Sequence, residues 1–411
     1  MRLVFVNYAH PEVRHVSAMR LFYFAKAMAA RGHEVVLLTG ASPEPGAKCT
    51  SSKDLALILD SHDWTCPLVL PVAEVHQERR KASTDRLFTT LQRKANTAWA
   101  LAFGKGVYAG WVTGAMPVIN VLAERFRPVL VWATFGNTSN LLLGQCLARR
   151  SHCQWVADVK DNWVAFVPRG LRKAVAWRFG DAAAITTNAR LHMDVAKVWF
   201  GKKRAQIVYS GVADAFYQVR QLRRDVSAPI TFALIGSTYS EDKLAAFIDA
   251  FRAWRVDTPN ANVRLIYAGS DGKRVSNAAS VAGISQFVGI HGQLSLENLA
   301  VLLRQAAAVC YLGAETAFHH KLLELLVVGR PVLCFPHEHP ESLDLAAQSP
   351  TPFFVCKDQK ELMQAFDLVC AQEHSTAAVA PPPAWRWGDM AVGLEGLFNE
   401  VLACGNQPCA A

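Results

Sequence analysis

What most limits how this chain folds is a pattern that runs through its first half and then starts again. "RLVFVNY", near the beginning, is an apolar run of strand length. "SAMRLFYFAKAMAARGHEVVLLTG" then spaces Met19, Phe22, Ala25, Met28 and Ala29 at helical intervals, stops at Gly32 and returns as the buried strand "EVVLLTG". Strand, helix and strand in close succession make a parallel pair, because the crossover has to cover the sheet face. "PVLVWAT" (128–134), "CQWVADV" (153–159), "AAAITTN" (182–188) and "AQIVYSG" (205–211) extend the series. A charged, sparsely apolar stretch, "YQVRQLRRDVSA" (217–228), interrupts it and reads as a linker. The alternation then begins afresh with the strand "PITFALIGS" (229–237) and the helix "EDKLAAFIDAFRAW" (241–254). "VRLIYAGS" (263–270), "ISQFVGIHG" (284–292), "SLENLAVLLRQA" (295–306), "AVCYLGA" and "RPVLCFP" follow. Two runs of this kind predict two doubly wound α/β domains that face each other, which suits a 411-residue chain too long for one core. The predicted bounds are 1–216, a linker at 217–228 and 229–388. A Pro/Ala-rich connector, "STAAVAPPPAW" (375–385), leads to a last helix at about 389–403 within a terminal segment 389–411.

Charge is uneven along this frame. Residues 1–224 hold 31 Lys+Arg against 15 Asp+Glu, a net +16, whereas 225–411 hold 12 against 19, a net −7. A basic first half attracts anions in general, but no zinc-finger spacing or base-reading aromatic signature accompanies it, so nucleic acid is not an expected partner. The ten cysteines form no CxxC pair and no metal-like spacing, which fits small buried hydrophobes in a reducing compartment. The start, "MRLVFVNYAH", reads as a strand and not as a signal peptide. The longest apolar zone, 95–122, is interrupted by Lys105, four glycines and Pro117, and a membrane span is not expected there. "HQERRKASTDRLFTTLQRKANTAW" (76–99) mixes six Lys/Arg with Leu87, Phe88, Leu91 and Trp99; it is either a basic amphipathic helix for an anionic membrane or a solvated helix face.

The segment "HHKLLELLVVGRPVLCF" (319–335) singles itself out. It is apolar except for His319, His320, Lys321, Glu324 and the Gly329-Arg330-Pro331 stop. The phasing predicts a helix from about His319, with Lys321 and Glu324 one turn apart on one side and Gly329 at its cap. A helix that starts beyond a strand of a doubly wound sheet points free N–H groups at the ligand crevice. Lys321 in the first turn then suits an anionic ligand, and Glu324 lies deeper, able to accept from ribose hydroxyls. The same spacing also suits an exposed Lys–Glu pair worth a few tenths of a kcal/mol. His319 and His320 either touch that ligand or serve as caps.

This segment resembles the donor-binding helix of retaining glycosyltransferases of family four, which many members write as Pro-Ser-Lys-Leu-x-Glu-Tyr-Leu-Ala-x-Gly-Arg-Pro. Other stretches agree in order: "RLFYFAKAMAARGHEVVLLTG", "WVADVKDNW", "IVYSGVADAFY", "FALIGSTYSEDKLAAFIDAF", "FVGIHGQLSLENLAVLLRQAAAVCYLG" and the terminal "AWRWGDMAVGLEGLF". The resemblance covers most of residues 1–335. It implies a GT-B fold, two Rossmann-like domains with the C-terminal helix returning to the first, and transfer of a sugar from a nucleotide diphosphate, UDP foremost. It implies retention of configuration without a metal, in line with the lack of an Asp-x-Asp motif. The nucleotide sugar is then a substrate, and no cofactor is expected.

Residue by residue, the resemblance places Glu324 on the donor ribose, Lys321 near the diphosphate and Lys243 as the cation that meets the leaving group. Gly236 and Ser237 fall in the donor turn, Ile290 to Gln293 beside the nucleobase, and Glu315 near the first acidic position of the donor motif, where Thr316 stands. Asp158, Asp161 and Asn162 are acceptor-side candidates past a strand end, unless the aspartates pair with Lys160 or Arg169. His33 in "RGHEV" reads as structural. The chain departs from the family pattern in three places. "HPEVRHVSAMR" lacks the usual glycines, Ser237 and Thr238 replace an Arg, and Glu315 is one residue out of register. The expected activity is sugar transfer to a lipid-linked or polysaccharide acceptor in surface glycan synthesis, in the cytoplasm and peripheral on the inner face of the membrane. A nucleotide-sugar 2-epimerase, or a partner protein of the same fold that has lost catalysis, are the alternatives.

Overall fold

The computed structural model describes residues 1–13, 16–75, 99–100, 104–222, 224–225, 227–238, 240–258, 262–313, 318, 321–372 and 381–405. The chain forms two compact units, Met1–Gly211 with Trp387–Ala411, and Val212–Arg386.

The first unit is built on seven strands: β1 (Arg2–Val6), β2 (Glu34–Gly40), β3 (Leu68–Val72), β4 (Leu130–Thr134), β5 (Gln154–Asp158), β6 (Ala184–Thr187) and β7 (Arg204–Ile207). They lie in the order β3-β2-β1-β4-β5-β6-β7, all parallel. The central strands are apolar without alternation because both faces are covered: Leu3, Val4, Phe5 and Val6 are all fully buried. One face carries Trp111, Ile119, Phe135, Leu143 and Trp163; the other carries Leu21, Phe24, Met28, Leu394 and Phe398.

The second unit has six parallel strands: β8 (Ile230–Ile235), β9 (Val263–Ala268), β10 (Val288–His291), β11 (Ala308–Leu312), β12 (Val332–Phe335) and β13 (Phe353–Val355). Their order is β10-β9-β8-β11-β12-β13. In both sheets the winding reverses beside the first strand of the series, between β1 and β4 and between β8 and β11. Such switch points are where doubly wound sheets open a crevice at the strands' carboxyl ends.

The terminal segment closes onto the first unit. Helix Trp387–Gly405 buries Ala391, Leu394, Leu397, Phe398 and Val401 against helix Val16–Ala30 and β1. Glu395 accepts from Arg31 and bonds the His33 ring at 2.7 Å, so His33 is structural, as expected. Gly211 admits the backbone of Trp387 so closely that a Cβ would stand 2.5 Å from the Trp387 Cα.

Several segments differ from the sequence expectation. Residues 214–221, which overlap the expected linker, are helical, and Tyr217 donates its hydroxyl to the Pro383 carbonyl at 2.9 Å. The apolar zone yields helix Ala109–Val121, whose Trp111, Val112, Ala115, Val118 and Ile119 are core. Among the described residues no helix is long and apolar enough to cross a membrane. The basic segment 76–99 lies outside the described residues except for Trp99.

Candidate functional site

The carboxyl edge of the second sheet gathers much of the chemistry expected of a donor site. β8 is followed by Gly236, whose φ of +91° favours a residue without a side chain and whose carbonyl accepts the Tyr267 hydroxyl at 2.6 Å. Ser237 is half-buried. Thr238 is buried and gives both its N–H (2.7 Å) and its hydroxyl (3.2 Å) to one oxygen of Asp271. Helix Glu241–Asp257 follows, its N–H groups capped by the Ser240 hydroxyl, which accepts from the Lys243 N–H at 3.3 Å.

From that first turn, Lys243 reaches across to the end of β11 and donates its ammonium to the Gly313 carbonyl at 3.0 Å. β8 and β11 are the paired strands at which the winding reverses, so a cation lies at the switch point. Gly313 cannot be another residue: a Cβ there would lie 2.0 Å from the His337 carbonyl oxygen and 2.4 Å from the Cys334 sulfur.

The chain returns to this edge through Lys321 and helix Leu322–Val328. The helix starts three residues later than the sequence phasing suggested. Lys321 is its N-cap residue, half-buried, with its carbonyl accepting the Leu325 N–H at 3.1 Å. Gly329, at φ +76°, ends it in the left-handed cap expected of that glycine. Glu324 is half-buried on a helix whose other six residues are all buried, and it accepts no hydrogen bond from a described residue. Loss of water around the carboxyl pushes its pKa up to about 7, against the opposing pull of Lys321. A carboxyl that loses water and has no hydrogen-bond donor among the described residues is poised to accept from a ligand hydroxyl.

Ile290 and Gln293 are exposed at the opposite edge of the sheet: Ile290 is in β10, two strands from β8, and Gln293 two residues beyond that strand. Ile290 packs against Gly272, where a Cβ would meet its Cγ2 at 2.8 Å. The structure therefore joins Lys243 to the β11 edge and Lys321 to Glu324, while Ile290 and Gln293 stand apart from them. Glu315, His319 and His320 lie outside the described residues.

A further cation was not picked out from the sequence. Arg274, in the first turn of helix Gly272–Val281, donates to the Thr238 carbonyl at 3.0 Å and keeps about half of its side chain exposed. It therefore brings a guanidinium to the turn where Ser237 and Thr238 replace an arginine. The signal in the sequence was faint, a lone "KR" after "YAGSDG".

Of the acceptor-side candidates, Asp158 alone is withdrawn from solvent. Asp158 is the last residue of β5 and has no exposed surface. Its partner is neither Lys160 nor Arg169 but buried Arg20, held through two bonds of 3.1 and 3.0 Å, and its oxygens also accept from Thr134 and Thr186. That leaves Asp158 a framework group. Asp161 pairs with Lys160 at 2.7 Å, the other outcome its position allowed, and stays about a third exposed. Asn162 caps helix Trp163–Phe166, accepting from the N–H groups of Val164 and Ala165. Where glycines were missing after β1, Tyr8 stacks on Tyr108 at 3.7 Å and gives its hydroxyl to Glu74 at 2.6 Å.

Residues 229–372, most of the second unit, match the family model described as glycosyl transferases group 1. No curated protein matches the sequence. Among solved structures, sucrose-phosphate synthase from Thermosynechococcus elongatus aligns with a TM-score of 0.62 at 15% identity, covering 98% of this chain and 99% of the other. HepE from Anabaena, solved with UDP and glucose, gives 0.57 at 14% identity over 99% and 97% of the two chains. A putative UDP-N-acetylglucosamine 2-epimerase from Listeria monocytogenes gives 0.57 at 12% identity over 99% and 98%. The fold is thus GT-B, and most of the second unit resembles glycosyl transferases group 1.

Proposed function

We propose that this GT-B glycosyltransferase takes its sugar from a nucleotide diphosphate, UDP foremost, and gives it to a lipid-linked or polysaccharide hydroxyl in surface glycan synthesis. The chain is assigned to glycosyltransferase family four, in the subgroup with the Lys-x-x-Glu donor helix, and acts with retention and without a metal in the cytoplasm. The observation that carries this reading is Lys243 at the β8/β11 switch point, inside the matched region. The HepE structures with UDP and with UDP-glucose support the choice of donor.

In the reaction the bond between the sugar's anomeric carbon and the β-phosphate oxygen breaks, leaving its electrons on the diphosphate. The acceptor oxygen forms the new bond and passes its proton to the departing phosphate oxygen. Negative charge grows on the leaving group, and fixed cations that need no reorganisation stabilise it best. Lys243 and Lys321 fill that role, with Arg274 supplying the charge lost at Ser237 and Thr238. Glu324 holds the ribose, Gly236 and Ser237 border the phosphates, and Ile290 and Gln293 lie beside the base. Glu315, His319 and His320 complete the donor side, and Asp161 remains on the acceptor side.

Calorimetry tests the cation assignment. Lys243→Ala and Arg274→Ala are each expected to weaken UDP about tenfold or more, the worth of one charge-assisted bond, and to leave uridine affinity unchanged. Equal UDP affinity in both variants would remove the assignment. A second reading, a nucleotide-sugar 2-epimerase, draws on the Listeria likeness. Incubation with UDP-N-acetylglucosamine in D2O separates the two: epimerisation exchanges the C2 proton for deuterium, whereas transfer leaves C2 untouched and releases UDP when acceptor is present. A partner protein that has lost catalysis gives neither signal.

A further inference from the structure

The helices after β5 and β6 carry a surface that neither the donor site nor the acceptor-side residues use. Phe166 is 57% exposed, Trp177 82% and Val198 74%, one on each of helices Trp163–Phe166, Arg172–Arg178 and Arg190–Phe200. Each helix already buries another side, through Trp163, Val175 and Phe200 respectively, so these side chains are surplus to the core. Arg172 ties the three together. It donates to the carbonyls of Val164 and Val167, and its guanidinium lies 6.0 Å from the ring centroid of Trp199. Charge on this stretch has one dominant sign: residues 162–204 hold nine Lys+Arg against two Asp, a net +7. Arg169, Lys173, Lys197 and Lys202 are exposed, and Lys173 lies one helical turn from Trp177 on the same face.

We propose that this surface docks the first unit onto an anionic lipid bilayer. Exposed Trp and Phe settle at the headgroup level, and cations around them are drawn to acidic lipids. A second copy of the chain fits less well, since a symmetric contact would set the exposed Arg169, Lys173, Lys197 and Lys202 against their own counterparts. Docking here would bring the segment that begins at Asp161 and Asn162 to the bilayer, where lipid-borne hydroxyls are found. The inference stands on exposure and charge and does not depend on the donor reading.

Co-sedimentation with vesicles of phosphatidylcholine, alone or mixed with phosphatidylglycerol, tests it. The wild-type protein is expected to bind only the mixed vesicles and to leave them at high salt. Phe166→Ser with Trp177→Ser, and separately Arg169→Glu with Lys173→Glu, are each expected to lower partitioning at least about tenfold. The altered side chains are exposed, so thermal midpoints and UDP affinity stay at wild-type values; should the first pair fail to fold, the second still decides. Wild-type protein left in the supernatant, or variants that bind as well as wild type, overturn the proposal. So does a loss of self-association in the variants by sedimentation velocity, which would make the patch a contact between copies. Failure of UDP to bind wild-type protein would sink the donor reading and leave this one standing.

Discussion

Glu324→Gln is expected to weaken UDP binding roughly 10- to 100-fold while leaving the protein at least as stable as wild type above pH 7. The two effects share one cause. The half-buried carboxyl loses part of its water, has no hydrogen-bond donor among the described residues, and is pushed from its ordinary value of 4.5 up to about 7. Between those values the folded chain holds a proton that the unfolded chain has released. Stability from this group is therefore greatest below about pH 4.5 and falls as the pH rises through 7. Above pH 7 the wild type bears the full cost of an ionised, poorly solvated carboxylate, on the order of 2 kcal/mol. Glutamine has nearly the same shape and no such cost, so urea unfolding at pH 8 should show an equal or higher midpoint. A residue kept only for packing would behave otherwise, with unchanged affinity and lower stability. Bound ribose would return the lost hydrogen bonds to the carboxylate and shift its titration downward, so UDP should bind more tightly at pH 8 than at pH 6. Equal affinity at both pH values would contradict the ribose assignment.

Asp158→Ala is expected to destabilise the first unit by roughly 3–5 kcal/mol, the largest effect of any single polar change considered. Arg20 and Asp158 are 1% and 0% exposed, and removing the carboxylate leaves a guanidinium in the core with two of its bonds unmade. The Arg20 guanidinium also lies 5.1 Å from the ring centroid of Phe24 and 5.7 Å from that of Trp132, so it has no path to water without disturbing the core. Arg20→Met alone should cost a similar amount, because Asp158 then keeps only the Thr134 and Thr186 hydroxyls. The double variant should cost clearly less than the sum of the two, since neither charge is left alone. Urea unfolding of the four proteins checks this, and a loss under 1 kcal/mol for Asp158→Ala would contradict it. UDP affinity should be unaffected in the variants that fold, because Asp158 belongs to the other unit.

The fold was legible because parallel strands covered on both faces leave unbroken apolar runs, and their repetition in "RLVFV" and "PITFALI" announces two sheets. Gly329 could be placed because a left-handed cap makes a local demand that a sequence expresses directly. The site was harder to read. Asp158 looked available because a carboxylate at a strand end appears the same whether it meets a ligand or an arginine 138 residues away. Its partner depends on helix Val16–Ala30 crossing the sheet face, which no local pattern encodes. Lys243 stands out by resemblance, but its contact with Gly313, 70 residues on, follows only from β11 lying beside β8. Arg274 lacks a local signal for the same reason. Its relation to Thr238 exists only once β9 is paired with β8.

The most direct test is a crystal structure of the protein soaked with UDP. The account predicts a nucleotide at the carboxyl edge of β8 and β11, with the ribose hydroxyls on Glu324 and the diphosphate against Lys243 and Arg274. An empty crevice at saturating nucleotide, or UDP bound with its ribose out of reach of Glu324, would contradict the account.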